Sequence, residues 1–262
     1  MVLESMISFK EAVKRPRYMF FISGIVAVLC VMISKFVFNE YVGLFTTFLI
    51  TMTLIPITRV ISIKETEKSI EGIREGFFQR YREVIIAYGA IFSGIVFFLS
   101  LLYVLLPDGT ANMIFYEQVR EISRIRGNFV FGGLFTTIFL NNAIVLTLSF
   151  LFSLLFGFGA IFIVSWNATV LAAAIGMLSK ALGGAKTLPL AILTFLPHGS
   201  LEILAYLIGG LAGGILSVAI TKRNISGVKF YRVLSDTFML YVYSVLLLVV
   251  AGLIESIAII LS

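Results

Sequence analysis

The chain has 262 residues, of which 60% are apolar, 14% aromatic and only 13% charged, with a formal net charge of +6. No water-exposed surface accommodates that balance, so a soluble globular enzyme is excluded. Unbroken apolar runs of about 20 residues also exclude a β-barrel and require helices that cross a bilayer.

The first apolar run, Tyr18 to Phe38, has no small-residue cleavage site and is read as a retained span. After the break Asn39-Glu40 a second span is expected from Tyr41 to about Ile57, so residues 1–63 form a transmembrane hairpin. Cys30, the single cysteine, lies in the first span and has no partner for an internal disulfide. Charges are dense from Arg59 to Glu83, while Ile63, Ile70, Ile73, Phe77 and Tyr81 recur at helical spacing. That pattern predicts a cytoplasmic amphipathic helix over residues 64–83. Residues 84–262 then form the main transmembrane domain.

A third span is expected from Val84 to Leu106, stopped by Pro107-Asp108-Gly109. A second amphipathic segment, Met113 to Arg126, carries Glu117, Arg120, Glu121 and Arg124 and is expected to rest on the opposite membrane face. From Phe129 an apolar stretch meets Asn141-Asn142, and a longer run continues past Gly157 and Gly159 to Trp166-Asn167. Its length and polar middle predict either one long tilted helix followed by another, or a broken or re-entrant helix near Asn141-Asn142 that leads into a full span. Ala168 to Leu182 is a further span. The run from Leu188 to Ile220 is interrupted by Pro197-His198-Gly199, which predicts a half-helix, a break and a new helix from about Gly199. A last span runs from about Thr237 to Leu261 and contains Glu255. The fold class is therefore an all-α polytopic bundle of about seven spans.

Orientation follows from the basic residues in short loops. Lys10, Lys14, Arg15 and Arg17 precede the first span. Arg59, Lys64, Lys68, Arg74, Arg80 and Arg82 follow the second, and Lys222, Arg223, Lys229 and Arg232 precede the last. Those segments are expected to be cytoplasmic, which places the N-terminus inside, in a cell membrane crossed seven times. Topology accounts for the basic charge, and nucleic acid is not expected as a partner.

His198, the only histidine, and Glu202 lie four positions apart, on one helical face. Buried ionisable groups are costly at membrane depth and mark a site by default. Glu255 needs a partner if it lies deep, with His198 or Lys180 as candidates. Asn141, Asn142 and Asn167 supply uncharged donors and acceptors, as a site or as interhelical hydrogen bonds. Pro197 and Gly199 mark the expected break. Gly209, Gly210, Gly213 and Gly214 predict close helix packing, within the subunit or across a homodimer. No zinc-protease, nucleophile-elbow or phosphate-loop motif occurs. No cofactor is expected; a divalent metal such as zinc would have to use His198, Glu202 and Glu255.

The order Asn141-Asn142, Trp166-Asn167, Leu196-Pro197-His198-Gly199-x-x-Glu202, the glycines at 209 to 214 and Ile254-Glu255-Ser256 resembles the stage II sporulation protein M family over residues 71–262. The first hairpin resembles the extra N-terminal module of archaeal members. Members often have Asn-Gly where this chain has Asn167-Ala168. The resemblance implies an integral membrane protein and, in spore formers, an engulfment role beside a partner that degrades peptidoglycan.

Three functions remain open at this point. The leading one is a membrane scaffold or remodelling factor that recruits partners through residues 59–83 and uses a buried His/Glu site to fix its fold. The others are a transporter or channel for protons, ions or a small solute through His198, Glu202 and Glu255, and an intramembrane metal-dependent hydrolase. A dry, packed pair would favour the scaffold, and a cavity reaching His198 would favour the other two.

Overall fold

A computed structural model describes residues 15–38, 40–71, 77–128, 133–157, 160–222 and 227–261. The described chain is helical throughout: α1 (Pro16–Val37), α2 (Val42–Glu71), α3 (Phe77–Leu105), α4 (Asp108–Ile114), α5 (Tyr116–Asn128), α6 (Leu134–Phe156), α7 (Ala160–Leu182), α8 (Leu188–Thr221) and α9 (Gly227–Leu261), with a single 3₁₀ turn between α7 and α8. Seven of these, all but α4 and α5, are long and apolar enough to cross a membrane.

The bundle is assembled where small or hydroxylated side chains let backbones approach. Gly24 lies against the Phe98 ring and Gly94 against the Phe20 carbonyl, and Ser23 donates to the Ile91 carbonyl at 3.0 Å, so α1 and α3 run side by side. Without water, a hydroxyl needs a partner within the protein. On α2, Thr47, Thr51 and Thr66 donate to the carbonyls four residues earlier, and Thr66 also reaches the Ile215 carbonyl at 3.2 Å.

Within residues 64–83, 64–71 continue α2 and 77–83 begin α3, while 72–76, with Ile73 and Arg74, fall outside the described residues. Once a span has formed, extending it adds one hydrogen bond per residue, whereas a new helix needs a new nucleus. Lys64 lies 3.7 Å from Glu83, and Lys222 lies 3.7 Å from Glu67, so the two basic loops described here share one end of the bundle. At the other end Lys180 pairs with Asp108 at 2.6 Å.

The segment after α4 forms α5, which is keyed into the bundle by Gln118, fully buried and donating to Thr169 at 3.1 Å. Glu117 accepts from the Gly43 amide at 3.2 Å, near the start of α2.

Neither expected helix break is present. The helix α6 runs straight through Asn141-Asn142, and α8 runs through Pro197. Proline forfeits one backbone hydrogen bond, but a full break would leave several amides and carbonyls unpaired where no water can reach them. The smaller loss prevails. The interruption comes instead at Gly157, whose φ of 75° lies in the left-handed region that glycine tolerates. Its amide donates to the Ser153 carbonyl at 2.7 Å and closes α6.

The most enclosed helix is α8. Its second half is a seam in which Gly209 faces Leu146, Gly210 faces Ala160, Gly213 faces the Phe150 carbonyl and Gly214 faces Ser62. These glycines are consumed inside the subunit, so they offer no surface for the alternative use across a homodimer.

Candidate functional site

The first half of α8 is built differently. His198, Glu202 and Tyr206 follow one another at intervals of four, so an unbroken helix places all three on one face. That face borders a cavity of about 310 Å³ enclosed by α6, α7, α8 and α9, with Ile122 of α5 at its edge. The cavity wall includes all six polar residues singled out from the sequence: Asn141 and Asn142 from α6, Asn167 from α7, His198 and Glu202 from α8, and Glu255 from α9. Gly199 also borders it, whereas Pro197 does not. No lysine or arginine lines it.

The polar groups form a connected chain. Tyr206, 2% exposed, donates its hydroxyl to Asn142 Oδ1 at 2.7 Å. Asn142 then donates through Nδ2 to Glu202 Oε1 at 2.6 Å, and the Glu202 carboxyl lies within hydrogen-bonding reach of Glu255. Two carboxyl groups, one on α8 and one on α9, therefore border the same cavity. Asn142 is fully used: its amide donates one way and accepts the other, which fixes the orientation of both neighbours.

The other members are held more loosely. Asn167 donates to the Ile163 carbonyl on its own helix at 2.8 Å. His198 is half-buried, and its ring lies 6.3 Å from that of Phe195. The partner of Glu255 is thus Glu202, across the α8–α9 contact. Lys180, a candidate for that role from the sequence, is engaged by Asp108 and by the Leu106 carbonyl at 2.6 Å.

Among the described residues no three His, Cys, Asp or Glu side chains converge closely enough to hold a metal ion. The set His198, Glu202 and Glu255 therefore shares a cavity without forming a ligand cluster, and the donor geometry does not fit zinc. Tyr206 and Thr137, which also line the cavity, were missed from the sequence. Tyr206 lies inside an apolar run, but its spacing of four from Glu202 was a usable signal, since a buried tyrosine hydroxyl needs a partner.

A family model described as stage II sporulation protein M matches residues 18–258. The match takes in α1 and α2 as well as the region from 71 onward that carries the motifs. No curated protein and no solved structure matches the chain.

Proposed function

We propose, for a chain that belongs to the stage II sporulation protein M family, a carrier function: exchange of protons for a cationic solute at the Glu202–Glu255 pair. The observation behind this reading is the cavity of about 310 Å³ around two facing carboxyl groups in an otherwise apolar bundle. One charged carboxylate at mid-membrane costs roughly 2.5–3.5 kcal/mol on insertion scales. A purely architectural pair would be packed dry to avoid that cost, as the glycine seam of α8 is packed. A pair bordering free space is suited to trading a proton for another cation. Asn142 and Tyr206 position Glu202; His198, the remaining titratable side chain of the wall, serves as a relay towards the cavity. The cavity reaching His198 supports this reading over the scaffold, which a dry, packed pair would have favoured.

The basic loops support a cytoplasmic N-terminus and cytoplasmic α2–α3 and α8–α9 connections in a cell-membrane protein. The cavity then lies in the outer half of the bundle, because Asn142 is near the start of α6 and Glu255 near the end of α9. The glycine seam closes the inner half.

The test is proton flux across the wall of proteoliposomes loaded with a pH-sensitive dye under an imposed gradient of tetramethylammonium, a permanent cation, because one-for-one exchange moves no net charge. Glu202→Gln and Glu255→Gln retain hydrogen-bonding capacity and should elute as folded protein yet lose the flux. His198→Gln should lower it without altering folding. Flux in all three variants equal to that of the unmodified chain would overturn the carrier reading.

A further inference from the structure

Beside the polar cavity lies a second one of about 420 Å³, between α3 and α8 across the face of α7. Phe92 and Val96 of α3, Ile175 of α7, and Ile192 and Leu204 of α8 give it an apolar wall. Phe97 and Leu196, also in that wall, are exposed on the outside of the bundle, so the groove opens sideways towards hydrocarbon. From Ile192 to Leu207 it follows α8 for about 22 Å, most of the roughly 30 Å hydrocarbon core.

The two cavities share Leu171, Phe195, Gly199 and Ile203 in their walls. Gly199 marks the thinnest point. It is buried, yet a Cβ added there would meet nothing within 4 Å. The contrast with Gly209 and Gly213, where a Cβ collides with a neighbouring helix, shows that the space beside Gly199 belongs to the cavities rather than to helix packing.

We infer that the two adjoining cavities bind a single-chain amphiphile with an amine head, its ammonium among Glu202, Glu255 and Asn142 and its hydrocarbon chain in the groove between α3 and α8, the chain passing beside Gly199, where no side chain stands between them. The chemistry of the head follows from the polar wall. Two carboxyl groups and no lysine or arginine line it, so a phosphate or carboxylate head would meet like charge, whereas an ammonium is attracted and donates up to three hydrogen bonds. The chain accounts for the groove, whose wall offers nothing to a small solute. The inference deepens the carrier reading by naming its substrate class and rests on the same carboxyl pair.

Equilibrium binding of radiolabelled hexadecylamine to the full chain in phosphatidylcholine nanodiscs, against hexadecanol and hexadecanoate, tests it. The amine should bind at least about tenfold more tightly than either competitor. Glu255→Gln should cost the amine about tenfold while leaving the alcohol unchanged. Gly199→Leu, whose side chain enters open space and is compatible with folding, should weaken both. Equal affinity for the three heads, or amine affinity unaltered by Glu255→Gln, would overturn the inference. A nanodisc sustains no gradient, so the two ideas fail separately. Amine selectivity without proton flux in proteoliposomes would remove the carrier alone, and flux without amine selectivity would remove the amphiphile alone.

Discussion

Within the single helix α8, residues 198–206 and residues 209–217 solve opposite problems. The second stretch is a seam where glycine replaces side chains so that α6, α7 and α2 can approach, and its contacts are backbone, methyl and hydroxyl groups. The first borders a gap between α6, α7 and α9 and fills part of it with carboxyl, amide and phenol groups. Stability in hydrocarbon comes from close van der Waals packing and interhelical hydrogen bonds, since burial against lipid supplies no hydrophobic drive. The seam can therefore provide what the cavity half forgoes. A space at one level of the bundle is tolerated because the next level is shut.

The contrast is broken most severely at Gly213. A side chain there meets the Phe150 carbonyl, a backbone atom that cannot move without α6, so Gly213→Leu should destabilise the chain by about 3 kcal/mol. Thermal unfolding in detergent would show it, and a melting temperature equal to that of the unmodified chain would remove the seam from the account. Asn142→Leu comes next. It strips Glu202 of its donor and Tyr206 of its acceptor in one step, and the unpaired groups should cost about 2 kcal/mol. Adding Tyr206→Phe should recover part of that loss, because the double variant no longer leaves a phenol unpaired. Absence of any recovery in the same melts would show that the two residues are not coupled.

Gly199→Ala gives the smallest effect and sharpens the comparison by its sign. The Cβ enters open space and alanine is the better helix former, so the chain should gain about 0.5–1 kcal/mol. A loss at Gly199 comparable with that at Gly213 would mean that both halves of α8 are packed alike.

What could be read in the sequence differs between these halves in a related way. Apolar run length alone defines the seven spans, because a bilayer of fixed thickness imposes a length on any helix that crosses it. Polar residues inside those runs likewise announce a site, since each is too costly to persist there unsupported. Asn141, Asn142, Asn167, His198, Glu202 and Glu255 carry that signal on four different helices, and one cavity gathers them. The helix termini were harder to place: α9 begins at Gly227 rather than near Thr237 and α3 at Phe77 rather than at Val84, because helices continue past the apolar run wherever nothing stops them.

Pro197-His198-Gly199 shows the limit of local signals. Proline and glycine in succession predict a break on propensity measured in water, but α8 stays intact because the cost of unpaired backbone groups depends on what surrounds them. Partner choice is decided in the same way. Sequence spacing put His198 and Glu202 on one face, yet the groups that meet Glu202 are Asn142 and Glu255, which lie on α6 and α9 and have no sequence relation to it. The sequence by itself determined that helices cross a membrane and that polar groups lie within them, because both follow from the cost of each residue in hydrocarbon, taken one at a time. Which of those groups meet, which glycines close a seam and which one borders a space was decided only by tertiary structure, because those are properties of pairs of helices and of the gaps between them.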